Sequence, residues 1–154
     1  MQVLKYQMIT MEDVICYETD ICIDDKAQLL QLIHSTSLDL QMVNKRKKVV
    51  LAFELKRRKI FFVYIPILEE SKNNCDYSCA GIKKTFHLEN ALKVRCEGNF
   101  TVIEQTINNF ERFIVEKGYT KITEYYLAIL LEHSSEDFDH MVVDIYVGIS
   151  WNIL

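Results

Sequence analysis

The sequence lacks the short motifs that mark several common enzyme classes. Only four glycines occur among its 154 residues, and none of them forms a phosphate-binding glycine loop. The G-x-S-x-G turn of serine hydrolases and the H-E-x-x-H zinc motif are both absent. These absences leave no local signature of phosphoryl transfer, serine hydrolysis or zinc-dependent hydrolysis, and an enzyme becomes the less favoured class.

The chain also lacks an excess of positive charge and any long apolar run. Its formal net charge is −4, which does not favour a nucleic acid as partner. No uninterrupted apolar stretch approaches the roughly 20 residues that cross a bilayer. The amino terminus has no basic region followed by an apolar core, so we expect no signal peptide. We therefore predict that neither nucleic acid nor membrane is a partner.

The cysteines and histidines are few and poorly placed for a metal. Five cysteines, an odd number, without a secretory signal indicate free thiols in a reducing compartment, which predicts a cytoplasmic protein. Cys75 and Cys79 form a C-x3-C pair, but no second close pair of ligands follows it. The four histidines are scattered. We therefore predict no metal and no cofactor.

What the sequence does contain is an internal similarity. Residues 61–67 and 143–149 are both strand-like runs in which a tyrosine, Tyr64 or Tyr146, is flanked by β-branched residues. A Pro or Gly break follows in each case. The offset is 146 − 64 = 82 residues, about half of the chain. Similarity of this kind usually indicates one structural unit used twice.

The remaining pattern gives each half the element order β-α-β-β. The first half is predicted to contain strands at residues 14–22, 49–55 and 60–67, with a helix capped by Asp24 or Asp25 after the first strand. The second half is predicted to contain strands at residues 91–96, 122–132 and 141–149. Its helix begins at a capping box formed by Thr101 and Glu104 and stops at Gly118.

The length of the chain favours one domain built from these two halves. A polar stretch beginning at residue 69 separates them and is typical of a linker. We predict a first module over residues 1–68, a linker over about 69–82 and a second module over about 83–154.

Alternation of side chains along a strand sorts the residues of the two matching runs by face. In the last strand, Asp144 and Tyr146 oppose the apolar set that must pack against helices. In the matching strand, Phe62 and Tyr64 occupy the corresponding face. The face away from the helices therefore gathers aromatic residues around a single acid.

Two interpretations of this face remain open. One is an ordinary sheet face that a loop or a dimer partner partly covers, a location that suits tyrosine. The other is an aromatic-walled cleft in which Asp144 selects cationic or hydrogen-bonding ligands. A carboxylate in such surroundings tends to have a raised pKa, which would suit general acid–base catalysis.

Three motifs of the second half belong together: the turn at residues 97–100, the Lys117-Gly118-Tyr119 stop and the closing run at residues 144–149. Through these motifs the chain resembles, over most of its length, the GyrI-like effector-binding domain family of bacterial transcription activators, whose closing signature is roughly Glu-Ile-Tyr-Ile-Pro-Ile. The first half keeps the closing pattern at residues 64–67. The resemblance implies an α+β fold in which two pseudosymmetric β-α-β-β modules form an antiparallel sheet, with helices on one face and a cleft on the other.

The resemblance also implies a class of function. Family members sense drugs or effectors, and some are stand-alone binding proteins, a gyrase modulator or hydrolases of strained electrophiles. The key acidic residue of the family maps onto Asp144 and the tyrosine after it onto Tyr146. Here Asp replaces Glu, Gly148 replaces proline, and the only tryptophan, Trp151, lies beyond the last strand. The paired aromatics of the hydrolases, typically tryptophan, are therefore not matched.

We predict a stand-alone protein that binds a small aromatic or cationic molecule in the cleft between the modules. Asp144 would set the charge selectivity, while Tyr146, Tyr64 and Phe62 would form the walls. Because residues 1–13 are too short for a helix-turn-helix, we expect no DNA binding by the chain itself. The alternatives are an interaction adaptor whose aromatic face meets a partner chain or its own copy and, less favoured, a hydrolase with Asp144 as base.

Overall fold

A computed structural model describes residues 1–22, 25, 27–28, 31, 50–56, 59–66, 82–130, 133–135 and 139–150, of which residues 11–18, 50–56, 60–66 and 82–84 are described by their backbone. This part of the chain contains seven strands and one long helix. They are β1 (Val3–Cys22), β2 (Val50–Lys56), β3 (Lys59–Pro66), β4 (Ile82–Gly98), α1 (Phe100–Glu116), β5 (Thr120–Lys121), β6 (Tyr125–Leu130) and β7 (Met141–Ser150). The fold is α+β, as predicted.

The strands form one antiparallel sheet in the order β4-β1-β3-β2-β6-β7-β5. Strand β4 pairs with β7 as well as with β1. Each of the six longer strands is therefore hydrogen-bonded to at least two others, and their backbone groups find partners within the sheet.

Strands β1 and β4 are longer than the sequence predicted. Residues 3–16 of β1 pair with residues 82–94 of β4, so both strands extend well beyond the predicted ranges 14–22 and 91–96. Positive φ angles at Tyr6 (56°) and Asn90 (51°) and three register shifts interrupt this ladder. Because such irregularities break the period-two alternation that identifies a strand, local sequence did not reveal them.

Helix α1 begins at Phe100, one residue before the predicted position. Asn99 caps it, and its side-chain oxygen accepts a hydrogen bond from the Val102 backbone amide at 3.2 Å. The predicted capping box formed by Thr101 and Glu104 is therefore wrong, because both residues lie inside the helix. Asparagine satisfies a free amide at a helix start as well as threonine does.

The predicted end of α1 is confirmed. Gly118 adopts a φ of +70°, and its amide donates to the Val115 carbonyl at 3.1 Å. The next amide, of Tyr119, reaches back to the Ile114 carbonyl at 3.0 Å. These two bonds form a Schellman motif, which places glycine at the left-handed position.

Strands β2 and β3 lie within one residue of their predicted bounds, and β7 begins at its predicted residue. The predicted helix of the first half is described at residues 27, 28 and 31, and Asp25 accepts a hydrogen bond from the Gln28 amide at 3.1 Å. The rest of that helix, the Cys75–Cys79 pair, residues 67–81 and Trp151 lie outside the described residues. Among described helices, none is long and apolar enough to cross a membrane.

One face of the sheet packs against α1 and forms the main core. The helix contributes three side chains that are buried almost completely, Ile103, Phe110 and Ile114. They meet the alternate residues of β4, β6 and β7, which are Leu92, Val94, Cys96, Tyr125, Leu127, Ile129, Met141, Val143, Ile145, Val147 and Ile149. Burying each large apolar side chain stabilises the fold by about 2 kcal/mol.

Candidate functional site

Backbone pairing arranges residues from six strands into two adjacent rows across the sheet. The first row consists of Cys16, Tyr64, Ala52, Ala128, Asp144 and Arg95. The second row consists of Glu18, Phe62, Glu54, Tyr126, Tyr146 and Lys93. The four predicted site positions thus occupy neighbouring rows, with β2 and β6 between the pair on β3 and the pair on β7.

The two pairs are not equally described. Asp144 and Tyr146 on β7 are described in full, whereas Phe62 and Tyr64 on β3 are placed by their backbone register. No direct backbone pairing joins one pair to the other within the described strands. That the four residues form one ligand site remains a prediction.

The predicted division of β7 into two faces is confirmed. Val143, Ile145 and Val147 belong to the core under α1. Tyr146 instead belongs to a second buried cluster. That cluster consists of Phe86, Leu88, Ala91, Ala128 and Tyr146, with Ile9 and Tyr126 packed against it.

Asp144 lies on the same side as Tyr146 and is held by two cations. Its side chain is only 6% exposed. Arg95 binds it through two atoms, Nε to Oδ1 at 2.7 Å and Nη2 to Oδ2 at 2.9 Å. The Lys93 ammonium lies 2.7 Å from Oδ2 and 5.5 Å from the centre of the Tyr146 ring. The predicted lone acid is therefore part of an ion cluster formed by Lys93, Asp144 and Arg95.

This cluster determines how Asp144 titrates. Burial by itself raises the pKa of Asp144, but hydrogen bonds and charge from Arg95 and Lys93 outweigh it, and the pKa lies below its ordinary value. The expectation of a raised pKa is wrong for this reason. A carboxylate with a lowered pKa is a weak base at neutral pH, so the cluster does not suit general-base catalysis.

The ion cluster carries one net positive charge, because two cations surround one carboxylate. Its members differ in their access to solvent: the Arg95 side chain is 52% exposed and that of Lys93 is 16% exposed. The face therefore presents a half-exposed guanidinium, while the carboxylate lies beneath it.

Aromatic side chains extend the buried cluster around Tyr146. Tyr126 pairs with Tyr146 in the ladder between β6 and β7. The Tyr126 ring meets Phe86 edge to face, with centroids 4.8 Å apart. Burial raises the pKa of the Tyr146 phenol. Tyr125, by contrast, lies in the core under α1, where its hydroxyl bonds to Glu111.

Sequence reasoning missed Lys93 and Arg95, although a signal for them exists. They alternate with the apolar residues Leu92, Val94 and Cys96, and period-two alternation predicts that the two basic residues share a face of the strand. What it does not give is the register that pairs Lys93 with Tyr146 and Arg95 with Asp144.

No family model matches the chain, and no curated protein matches it. Solved structures are similar to it at low identity, among them the following three. A hydrolase from Listeria innocua is 13% identical, with a TM-score of 0.53, and the match covers 97% of this chain and 91% of that one. An uncharacterized conserved protein from Listeria innocua is 12% identical, with a TM-score of 0.54 and the same coverage. SAV2435 bound to tetraphenylphosphonium is 11% identical, with a TM-score of 0.53, covering 97% and 93%. The chain thus shares the fold of these proteins, which is consistent with a GyrI-like fold.

Proposed function

We propose that this chain is a small-molecule-binding protein that holds an aromatic or cationic ligand on the sheet face opposite α1. The observation that carries the proposal is the ion cluster beside Tyr146: a carboxylate bound by Lys93 and Arg95 next to a buried aromatic cluster. Polar groups that converge within an apolar surface are typical of small-molecule sites. That SAV2435 binds tetraphenylphosphonium on the same fold supports this class of function.

We further propose that the sheet consists of two modules related by a pseudo-twofold axis. The pairings within each half correspond, because β1–β3 and β2–β3 match β4–β7 and β6–β7. The registers correspond as well. Tyr64 pairs with Cys16, and the corresponding Tyr146 pairs with Lys93. Cys16 of β1 therefore corresponds to Lys93 of β4, an offset of 93 − 16 = 77 residues.

The ladder between β1 and β4 supports the same relation independently. Thr10 pairs with His87, which lies 87 − 10 = 77 residues further along the chain. Since this is the same offset, Thr10 and His87 are corresponding residues that pair with each other, and the pseudo-twofold axis would pass between them. Between β2 and β6, Phe53 pairs with Leu127, an offset of 127 − 53 = 74. The matched pairs Ala52–Tyr64 and Tyr126–Tyr146 give the same offset, since 126 − 52 = 74.

This symmetry supports modules over about residues 1–68 and 83–154, joined by a linker over about 69–82. It relates Tyr64 to Tyr146 and Phe62 to Asp144, and we propose that these four residues line the ligand site from opposite sides. Asp144, Tyr146 and their neighbours form one wall, and the corresponding part of β3 forms the other. We also propose that the protein acts in the cytoplasm and does not bind DNA by itself.

Isothermal titration calorimetry with matched aromatic probes tests the function. The probes are naphthalene-2-carboxylate, naphthalene-2-carboxamide, naphthalen-2-ylmethylammonium and tetraphenylphosphonium. We expect at least one of them to bind with 1:1 stoichiometry and a Kd below about 1 mM. Tyr146→Ala and Tyr64→Ala should each weaken binding about tenfold, and Val115→Ala, an exposed position on α1, should not. Absence of binding for all four probes would overturn the proposal.

The adaptor alternative has one observation in its favour. Tyr6 and Met8 on β1 are largely exposed although both are large hydrophobic residues, and exposed apolar surface often marks a protein contact. Sedimentation velocity tests it: a stable dimer that Met8→Ser dissociates, together with no response to the probes, would favour an adaptor that pairs with its own copy.

A further inference from the structure

We propose that the ligand carries an anionic group and that Arg95 and Lys93, rather than Asp144, contact that group. The inference rests on the proposed function and specifies its ligand class as an aromatic carboxylate or a similar organic anion.

Asp144 is not available to a cationic ligand. Both of its carboxylate oxygens are already bound, Oδ1 by Arg95 and Oδ2 by Arg95 and Lys93. An incoming cation would have to compete with the guanidinium and the ammonium that already occupy these oxygens. Since bidentate arginine–carboxylate pairs are among the strongest polar contacts, such a ligand gains little from this acid.

The two cations keep hydrogen-bond donors that Asp144 does not use. A guanidinium has N–H donors on all three nitrogens, and Asp144 accepts from Nε and Nη2 of Arg95. An ammonium has three donors, of which the salt bridge to Asp144 takes one at Lys93 and the Tyr146 hydroxyl takes a second. Because the Arg95 side chain is half-exposed, a planar oxyanion can reach it without displacing Asp144.

The position of Lys93 indicates that the ligand also has an aromatic part. Its ammonium lies over the Tyr146 ring, 5.5 Å from the centroid. Tyr146 in turn belongs to the buried cluster that includes Phe86 and Ala128. A ligand whose anionic group meets Lys93 therefore brings its remaining atoms towards Tyr126, the partly exposed aromatic residue that packs against this cluster and offers a ring for aromatic contact.

The charged residues of the two rows indicate how the ligand is oriented between β3 and β7. Glu18 and Glu54 pair with Phe62 from its two sides, so acidic residues hold the register positions next to β3. Lys93 and Arg95 hold the register positions next to β7 in these two rows, and Glu97 lies one row further along β4. We therefore assign the anionic group of the ligand to the β7 side of the face.

The experiment compares three naphthalene probes that share a ring system and differ in charge. Calorimetry at pH 7 should give the affinity order carboxylate, carboxamide, methylammonium, with the carboxylate at least about tenfold tighter than the carboxamide, as expected of charge-assisted hydrogen bonds. The reverse order would overturn this inference and leave the proposed function standing. No binding of any probe would overturn the proposed function itself.

Substitutions in the ion cluster locate the contact. Arg95→Gln should raise the Kd of the carboxylate probe about tenfold and change the Kd of the carboxamide probe less than twofold, because it removes the guanidinium and leaves the aromatic surface. Arg112→Gln removes an exposed arginine of α1 and is the matched control. Equal losses for both probes in Arg95→Gln would show a structural effect alone and would overturn the assignment of Arg95.

Asp144→Asn separates this inference from a site that selects cations through Asp144. It raises the net charge of the cluster from one to two, so the carboxylate should bind at least as tightly as it does to the wild type. Selection of cations by Asp144 predicts instead that the methylammonium probe binds the wild type and is lost in the variant. Circular dichroism checks folding, and if Asp144→Asn does not fold, Arg95→Gln carries the test.

Discussion

The two faces of β7 are almost equally buried but are held by different chemistry. On one face Val143, Ile145 and Val147 are inaccessible to solvent and pack against α1 and its neighbours. On the other, Asp144 and Tyr146 are also more than nine-tenths buried. A buried ion cluster is no more stabilising than the apolar residues that would replace it. In the proposed function the second face serves recognition, while the first face supplies stability.

The largest effect that separates the two faces is expected from Phe110→Ala on α1. Phe110 is fully buried in the core under the helix, and truncating such a side chain costs about 4 kcal/mol. Guanidinium chloride unfolding measures the change, with Val115→Ala at an exposed site of the same helix as control. A loss below about 1 kcal/mol for Phe110→Ala would contradict the assignment of this face to the core.

Asp144→Asn should have the next largest effect. Removing this carboxylate leaves Lys93, which is mostly buried, without its counter-charge, and we expect a loss of about 3 kcal/mol at pH 7. Urea unfolding of the variant and the wild type gives the difference. An unchanged free energy of unfolding would show that the cluster contributes nothing to stability.

The same variant should remove a pH dependence. Because the pKa of Asp144 is lower in the folded chain than its ordinary value of 3.8, the unfolded chain binds a proton first as the pH falls. The stabilisation by Asp144 is thus complete well above pH 4 and declines as the pH falls through its folded pKa. The wild type and Asp144→Asn should converge in stability below about pH 4, and a constant difference down to pH 2 would contradict this.

Gly148→Ala probes the end of the Asp144 face and should cost about 2 kcal/mol. A Cβ at this position would lie 2.8 Å from Cγ2 of Thr123 and 3.1 Å from Cδ1 of Leu88. The Gly148 amide also donates to the Thr123 hydroxyl at 2.8 Å, a bond that a proline at this position would lack. Thermal unfolding of Gly148→Ala, Thr123→Ser and the double variant tests the clash. Thr123→Ser removes the closest methyl group, so in the double variant it should recover part of the stability lost in Gly148→Ala. A double variant whose loss equals the sum of the two single losses would contradict this account.

Gly118→Ala should have the smallest effect, about 1 kcal/mol. A Cβ at this position would meet no atom within 4 Å, so the loss comes from the left-handed backbone, φ +70°, at the end of α1. Urea unfolding should show Gly118→Asn to be milder than Gly118→Ala, because asparagine tolerates this conformation better. Equal losses for the two variants would argue against backbone strain.

Local sequence was sufficient for the parts of the fold that depend on neighbours along the chain. The spacing of apolar residues predicted α1, the left-handed glycine predicted its end at Gly118, and alternation predicted both faces of β7. The start of α1 was misassigned because Thr101 and Glu104 match a capping box, while Asn99 supplies the cap.

Long-range pairing explains what local sequence did not predict. The first part of β1 is a strand because it pairs with β4, some 70 to 90 residues further along the chain. The partners of Asp144 were missed for the same reason, since Lys93 and Arg95 reach it through the register between β4 and β7. Alternation predicts which face a residue occupies, but it does not predict which residue lies opposite.

The ratio of two dissociation constants tests the central claim most directly. Calorimetry on the wild-type chain at pH 7 would compare naphthalene-2-carboxylate with naphthalen-2-ylmethylammonium, which place opposite charges on the same ring system. If Arg95 and Lys93 contact the ligand, the carboxylate should bind at least about tenfold more tightly. Tighter binding of the methylammonium probe would contradict the account and indicate that the acidic residues of the face select the charge of the ligand.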